Sequence, residues 1–77
     1  MRERNLMILR KLEPLKAKVY PTALENEALG VFIMHYNGDH KESLSNKKLA
    51  RDVKTSRKGA SKLRNKFARE AGISYGI

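Results

Sequence analysis

The stretch from Leu24 to Tyr36 constrains this chain most, because it is apolar on most of the sides that a helix would present: Leu24, Ala28, Leu29, Val31, Phe32, Ile33 and Met34. A helix that is apolar all round is a buried helix, so the fold has to put this segment at the centre of its core. Its start is marked locally. Pro21-Thr22 opens it, and Thr22 and Glu25 have the Thr-x-x-Glu spacing of a capping box, which satisfies two free backbone donors. Asn37-Gly38-Asp39 ends it with residues that tolerate a left-handed backbone.

Helical signals continue on both sides of this segment. Residues 2–12 read as a short amphipathic helix with Leu6, Ile8, Leu9 and Leu12 as its stripe. Glu13-Pro14 should interrupt it, since proline removes a donor and disfavours helical geometry in the residue before it. Leu15, Ala17 and Val19 then alternate with Lys16 and Lys18, which fits either a helical turn or an extended stretch. After a polar loop, Ser45 is a good N-cap, and Leu44 before it is spaced to pack on Leu49 as a hydrophobic staple. The helix Asn46–Val53 puts Leu49, Ala50 and Val53 on one face. Ser56 caps a last helix in which Ala60, Leu63 and Phe67 recur at helical spacing. Gly72 stops it, and Ile73 is placed to fold back as the accompanying apolar contact. The expectation is an all-α, single-domain bundle of about four helices over residues 1–77.

Seventy-seven residues lie near the lower limit for folding on one core, and the chain has no cysteine for disulfides or a thiolate zinc site. Close helix packing, a partner subunit or a ligand has to supply the rest of the stability. The missing cysteines fit a reducing cytoplasm. No apolar run approaches the ~20 residues that span a bilayer, and Leu6 to Leu9 is too short for a secretory signal.

Charge is unevenly placed. The net charge is +9, with +4 in residues 1–20, −3 in residues 21–40 (no Lys or Arg) and +8 in residues 41–77. So large a charge on a small domain repels itself and points to a polyanionic partner. A solvated basic surface is the plainer alternative, but the concentration of charge in one half argues against it.

The stretch Leu49 to Leu63, LARDVKTSRKGASKL, resembles the helix-turn-helix of phage repressors and related bacterial regulators. Ala50 stands where that motif wants a small residue for close helix crossing. Val53 and Ala60 fall at its inter-helix contacts, Leu63 at its core anchor and Ser56 at the cap of its recognition helix. Lys54 occupies the turn position usually held by glycine, where a left-handed conformation costs a side chain roughly 1–2 kcal/mol. Gly59 lies inside the recognition helix, at a cost of ~1 kcal/mol against alanine, with the potential use of letting DNA or a neighbouring helix approach. The three C-terminal helices also resemble the core of winged-helix regulators. Too few residues follow for a wing, so that likeness implies a wingless form or a piece of a longer protein.

The resemblance implies sequence-specific binding of double-stranded DNA by a small transcriptional regulator of phage or prokaryotic kind, associated with the nucleoid. A helix fits the major groove, with its N-terminal residues at base edges and nearby cations on phosphates. The outward face would present Ser56, Arg57, Lys58, Ser61, Lys62 and Asn65. Arg57 is the type that bonds guanine bidentately and Asn65 the type that pairs with adenine. Lys47, Lys48, Arg64, Lys66 and Arg69 are assigned to phosphates, which position without specifying. A homodimer would double the DNA surface that one such unit buries.

Two rivals stand beside this reading: an RNA-binding protein, and a protein-interaction module or inhibitor acting through the apolar N-terminal face. That face with its flanking Arg and Lys also fits an anionic membrane surface, although such helices more often pack on their own domain or a second subunit. His35, Asp39 and His40 are the only grouping that hints at a metal or an acid–base pair, but His35 and His40 straddle a helix end with no third ligand at a suitable spacing, so a helix-terminal histidine and a solvated loop histidine are expected. No phosphate loop, activated nucleophile or paired carboxylate is present; no enzyme, cofactor, metal or small-molecule substrate is expected. Tyr20, Tyr36 and Tyr75 have rings that stack on single-stranded bases, but Tyr20 and Tyr36 read better as core-edge residues with one wet end.

Overall fold

The first α-helix ends just ahead of Glu13-Pro14, as the sequence predicts, and the chain continues as a tighter 3-10 turn. In the computed structural model, which describes residues 2–74 and 77, helix α1 spans Glu3–Leu12 and runs on into a 3-10 turn, Glu13–Ala17. Glu13 keeps a right-handed helical backbone (φ −56°, ψ −39°) despite the proline after it. Pro14 fits because it lies in the first turn of the 3-10 segment, where its missing N–H is not needed. Leu15 is buried and Val19 is 96% exposed, so the alternation at 15–19 is a helical turn followed by an extended link, not a strand.

Helix α2 spans Ala23–Tyr36, α3 Asn46–Asp52 and α4 Arg57–Ala71. Each has the cap that its sequence announces. Thr22 Oγ1 accepts from the Glu25 amide at 3.2 Å and donates its own proton to the Glu25 carboxylate at 2.7 Å. Ser45 accepts from the Lys48 amide at 3.1 Å and Ser56 from the Gly59 amide at 3.0 Å. Gly72, at φ +71°, closes α4, and the Ile73 amide reaches back to the Ala68 carbonyl at 2.8 Å while its side chain is buried.

The four helices form an all-α bundle, with no strand among the described residues. Ile8, Leu9 and Leu12 of α1 meet Ala28, Leu29, Phe32 and Tyr36 of α2, and the C-terminal pair adds Leu49, Ala50, Val53, Ala60, Leu63 and Phe67. The Phe67 ring stands edge-on to Phe32 (6.0 Å) and to Tyr20 (5.5 Å), which ties α4 to the N-terminal half. The stripe of α1 therefore packs on its own domain. Among the described residues no helix is long and apolar enough to cross a membrane.

Three expectations need correction. Helix α2 is not covered on all sides: Met34 is 78% exposed, and Val31 and Ile33 are only partly buried. Its C-terminus uses no left-handed residue, since Asn37 stays right-handed, and among the described residues only Lys54 and Gly72 have positive φ. The loop is held instead by Asn5, fully buried on α1, whose amide donates to the carbonyls of Gly38 (3.2 Å) and His40 (2.8 Å).

The third correction concerns the residues under that loop. Tyr36 has no wet end; it is fully buried, its hydroxyl donating to the Ile77 carbonyl and accepting from the Leu44 amide at 3.3 Å. His35 is 6% exposed, stacks on His40 at 4.3 Å between ring centroids, and its Nε2 lies 3.0 Å from the Glu42 carbonyl. Burial lowers its pKa, which keeps the ring neutral. Asp39 points elsewhere, to Arg2 at 3.7 Å. Tyr20 fits the core-edge reading, donating to Glu70 at 3.0 Å, with its pKa pushed up to about 12 by burial and then by that carboxylate. Tyr75 lies outside the described residues.

Candidate nucleic-acid interface

The unit formed by α3, its turn and α4 is built on one left-handed residue. Lys54 has φ +55°, and across it the Thr55 amide bonds the Ala50 carbonyl at 2.9 Å while the Val53 amide bonds Leu49 at 3.0 Å. This six-to-one closure is the one Gly72 makes at the end of α4, here with a lysine in glycine's place. Ala50 is 6% exposed and Ala60 fully buried, so two small side chains sit in the core shared by α3 and α4. Leu63 and Phe67 carry the rest of the inner face of α4.

That inner face fixes the outer one. Lys58, Lys62, Asn65 and Arg69 follow at i, i+4, i+7 and i+11 on the side of α4 away from Ala60, Leu63 and Phe67, and all four are exposed. Arg57 is exposed at the first turn and Ser61 is half-buried beside the stripe. On α3, Lys47 is exposed and Lys48 half-buried. The Ser56 hydroxyl oxygen caps α4, and the residue is exposed.

Two of the expected phosphate contacts are engaged inside the fold. Arg64 Nε donates to Asn46 Oδ1 at 2.7 Å, its other nitrogen donates to the Leu44 carbonyl, and its guanidinium lies 5.3 Å from the centre of the Phe32 ring. Burial lowers its pKa, though arginine stays charged. Arg64 thus clamps the start of α3 to α4. Lys66 pairs with the Glu25 carboxylate and sits 5.2 Å from the Tyr20 ring centre; that ammonium, then the Thr22 hydroxyl, holds the Glu25 carboxyl below its ordinary range.

Electrostatics at the helix starts separates this unit from the rest. The N-terminus of a helix carries a partial positive charge and favours acids. α1 has Glu3 in its first turn, between Arg2 and Arg4, and α2 has Glu25, whereas α3 and α4 have no acid there to offset Lys47, Lys48, Arg57 and Lys58. Each such cation is unfavourable by roughly 0.3–1 kcal/mol unless an anion covers it.

Two residues join the set that sequence reasoning did not include. Lys54 is exposed in the turn just before α4, and the signal was a cation at a glycine position. Arg51 is exposed, with only its neighbour Asp52 at 4.0 Å. Gly59 has a local use: a Cβ there would lie 2.5 Å from Thr55 Oγ1, so the glycine makes room for the residue before the cap. Among the described residues no group of three or more His, Asp or Glu side chains is arranged to hold a metal ion. Compared with known protein families, curated proteins and solved structures, the chain matches none.

Proposed function

We propose that this chain binds duplex DNA, with α4 lying in the major groove and α3 crossing the backbone, and that it acts as a small transcriptional regulator. The observation that carries this reading is the coincidence of a polar, basic stripe on the outer face of α4 with uncompensated cations at the starts of both α3 and α4. Those cations oppose helix stability and are relieved by phosphate, whose charge the same helix ends favour. Arg57, Lys58, Ser61, Lys62 and Asn65 are the base-facing candidates. Lys47, Lys48, Arg51, Lys54 and Arg69 supply the phosphate contacts, and Arg64 and Lys66 hold the unit together instead.

The test is affinity for labelled duplex DNA across a salt series, with duplex and single-stranded RNA as competitors. If about five phosphates are neutralised, the slope of log K against log salt is roughly −4 to −5. A slope near zero removes the reading in favour of a protein-interaction module, and stronger competition by RNA than by DNA replaces it with an RNA reading. Selection from random duplexes then decides specificity: an enriched motif supports a regulator, and an unenriched pool leaves a nonspecific binder.

A further inference from the structure

DNA binding gives no reason for the outer face of α2. There Asn26, Gly30, Met34 and Asn37 succeed one another at helical spacing and are all exposed, Met34 by 78%. A Cβ built on Gly30 meets nothing within 4 Å. Beside this ridge runs a groove of about 530 Å³, floored by Leu29 and Ile33 and rimmed by Lys16 and Lys18 of the preceding segment. The inner face of α2 meets the inner face of α4 through Phe32 and Phe67. The Gly30 ridge and the Lys58–Arg69 stripe therefore lie on opposite sides of the molecule.

Charge selects what can cover this ridge. Two copies of a chain with net charge +9 repel wherever their basic halves meet. Of the three acids in residues 21–40, Glu25 is buried against Lys66 and Asp39 faces Arg2, which leaves Glu27; with Lys16 on the rim and Lys18 held by Glu70, the α2 face is close to neutral, so it is where two copies approach with least repulsion. Glu27, exposed next to Asn26, and Lys16 on the groove rim are in no ion pair among the described residues. Gly30, with no side chain and open space around it, is where two such ridges can cross most closely. When two α2 helices cross antiparallel on a twofold axis there, Gly30 meets its own copy, Met34 falls opposite Asn26, and Glu27 falls opposite Ile33 on the groove floor that Lys16 flanks.

We infer that a second copy of this chain occupies the groove, in a twofold pairing of α2 with α2 that turns the two α4 helices away from each other, so that one dimer holds two separate duplexes. Twofold helix-turn-helix dimers that read one operator present both recognition helices to the same side of one duplex. This pairing is different, because its contact lies opposite the basic stripe. The bridging half of the inference rests on the DNA reading above; the pairing itself does not.

Sedimentation of the full chain through the micromolar range tests the pairing, with Gly30→Arg as the variant. The space around Gly30 is open and arginine is the better helix former, so α2 stands, while two guanidinium groups meet on the axis. The wild type is expected to dimerise and the variant to stay monomeric with an unchanged helical spectrum. Salt should tighten the pair by screening repulsion, the opposite of its effect on DNA. Bead-bound duplex should capture a second, labelled duplex with the wild type alone, although both proteins bind single duplexes equally. A wild type that is monomeric throughout, or a Gly30→Arg protein that still dimerises, overturns the pairing. A Gly30-dependent dimer that binds single duplexes but captures no second one overturns the outward arrangement. A Gly30-dependent dimer with no affinity for any duplex upholds the pairing and removes the DNA reading.

Discussion

The N-terminal and C-terminal helix pairs differ at their starts in whether an acid is present to meet the helix dipole. α1 and α2 begin with Glu3 and Glu25, acids placed where the helix dipole favours them, and Glu25 adds a hydroxyl and an ammonium partner. α3 and α4 begin with lysines and an arginine and have no acid in the first turn. Their ends differ in the same sense: α4 stops at a glycine, which is free to be left-handed, whereas α3 stops at a lysine, which is not. The second pair gives up stability at several positions: at the helix starts and at Lys54 it carries positive charge instead, and at Gly59 it makes room for Thr55.

The comparison breaks most easily at the core. Phe32 is fully buried against Phe67 and under Arg64, so Phe32→Ala should cost ~3–5 kcal/mol in urea unfolding. A loss below about 1 kcal/mol would mean that α2 does not anchor the C-terminal pair. Next comes the α3–α4 packing. Ala50→Leu should cost ~1–3 kcal/mol through overpacking, and a thermal midpoint equal to the parent's would refute the close packing of the two helices.

Substitutions on the outer face should move binding and leave the core alone. Arg57→Ala is expected to lose ~1–3 kcal/mol on a preferred site and relax one base pair, with unfolding unchanged. Lys48→Ala is expected to weaken preferred and random duplexes alike and to lower the salt slope by about one. Equal losses for both variants on both kinds of DNA would show attraction without readout. The smallest effect sharpens the comparison most. Lys58→Glu puts an acid where α1 and α2 already have one, so free-protein stability should rise by roughly 0.3–1 kcal/mol while DNA affinity falls. If stability and affinity fell together, the helix start would have a structural role instead of a functional one.

What the sequence made legible was local. Thr22, Ser45, Ser56 and Gly72 act within a few residues of their own positions, and the caps they announce are the caps observed. The left-handed turn at Lys54 belongs with them, since the spacing of the motif located it. Other features hidden from the sequence depend on distant partners. Arg64 finds Asn46 and Leu44, 18 and 20 residues away, and Lys66 finds Glu25, 41 away, so a reading confined to the helix and its charge assigned both to phosphates. Asn5 holds the loop after α2 through acceptors 33 and 35 residues away, and Tyr36 finds Ile77, 41 away. The open face of α2 was hidden for a different reason. Apolar residues around a whole helix signal burial, but three neighbouring helices cover only part of its circumference.

Lys54 has one more consequence. A procedure that chose each residue for the backbone beneath it would write glycine at position 54 and glutamate at 47 and 58, and the redesigned chain would be more stable than this one. On the DNA reading it would also be silent, because the residues removed would be Lys47 and Lys54, which touch phosphate, and Lys58, which faces the bases. The distance between this chain and its own most stable version is therefore informative. On that same reading it marks, position by position, where selection favoured something other than the fold.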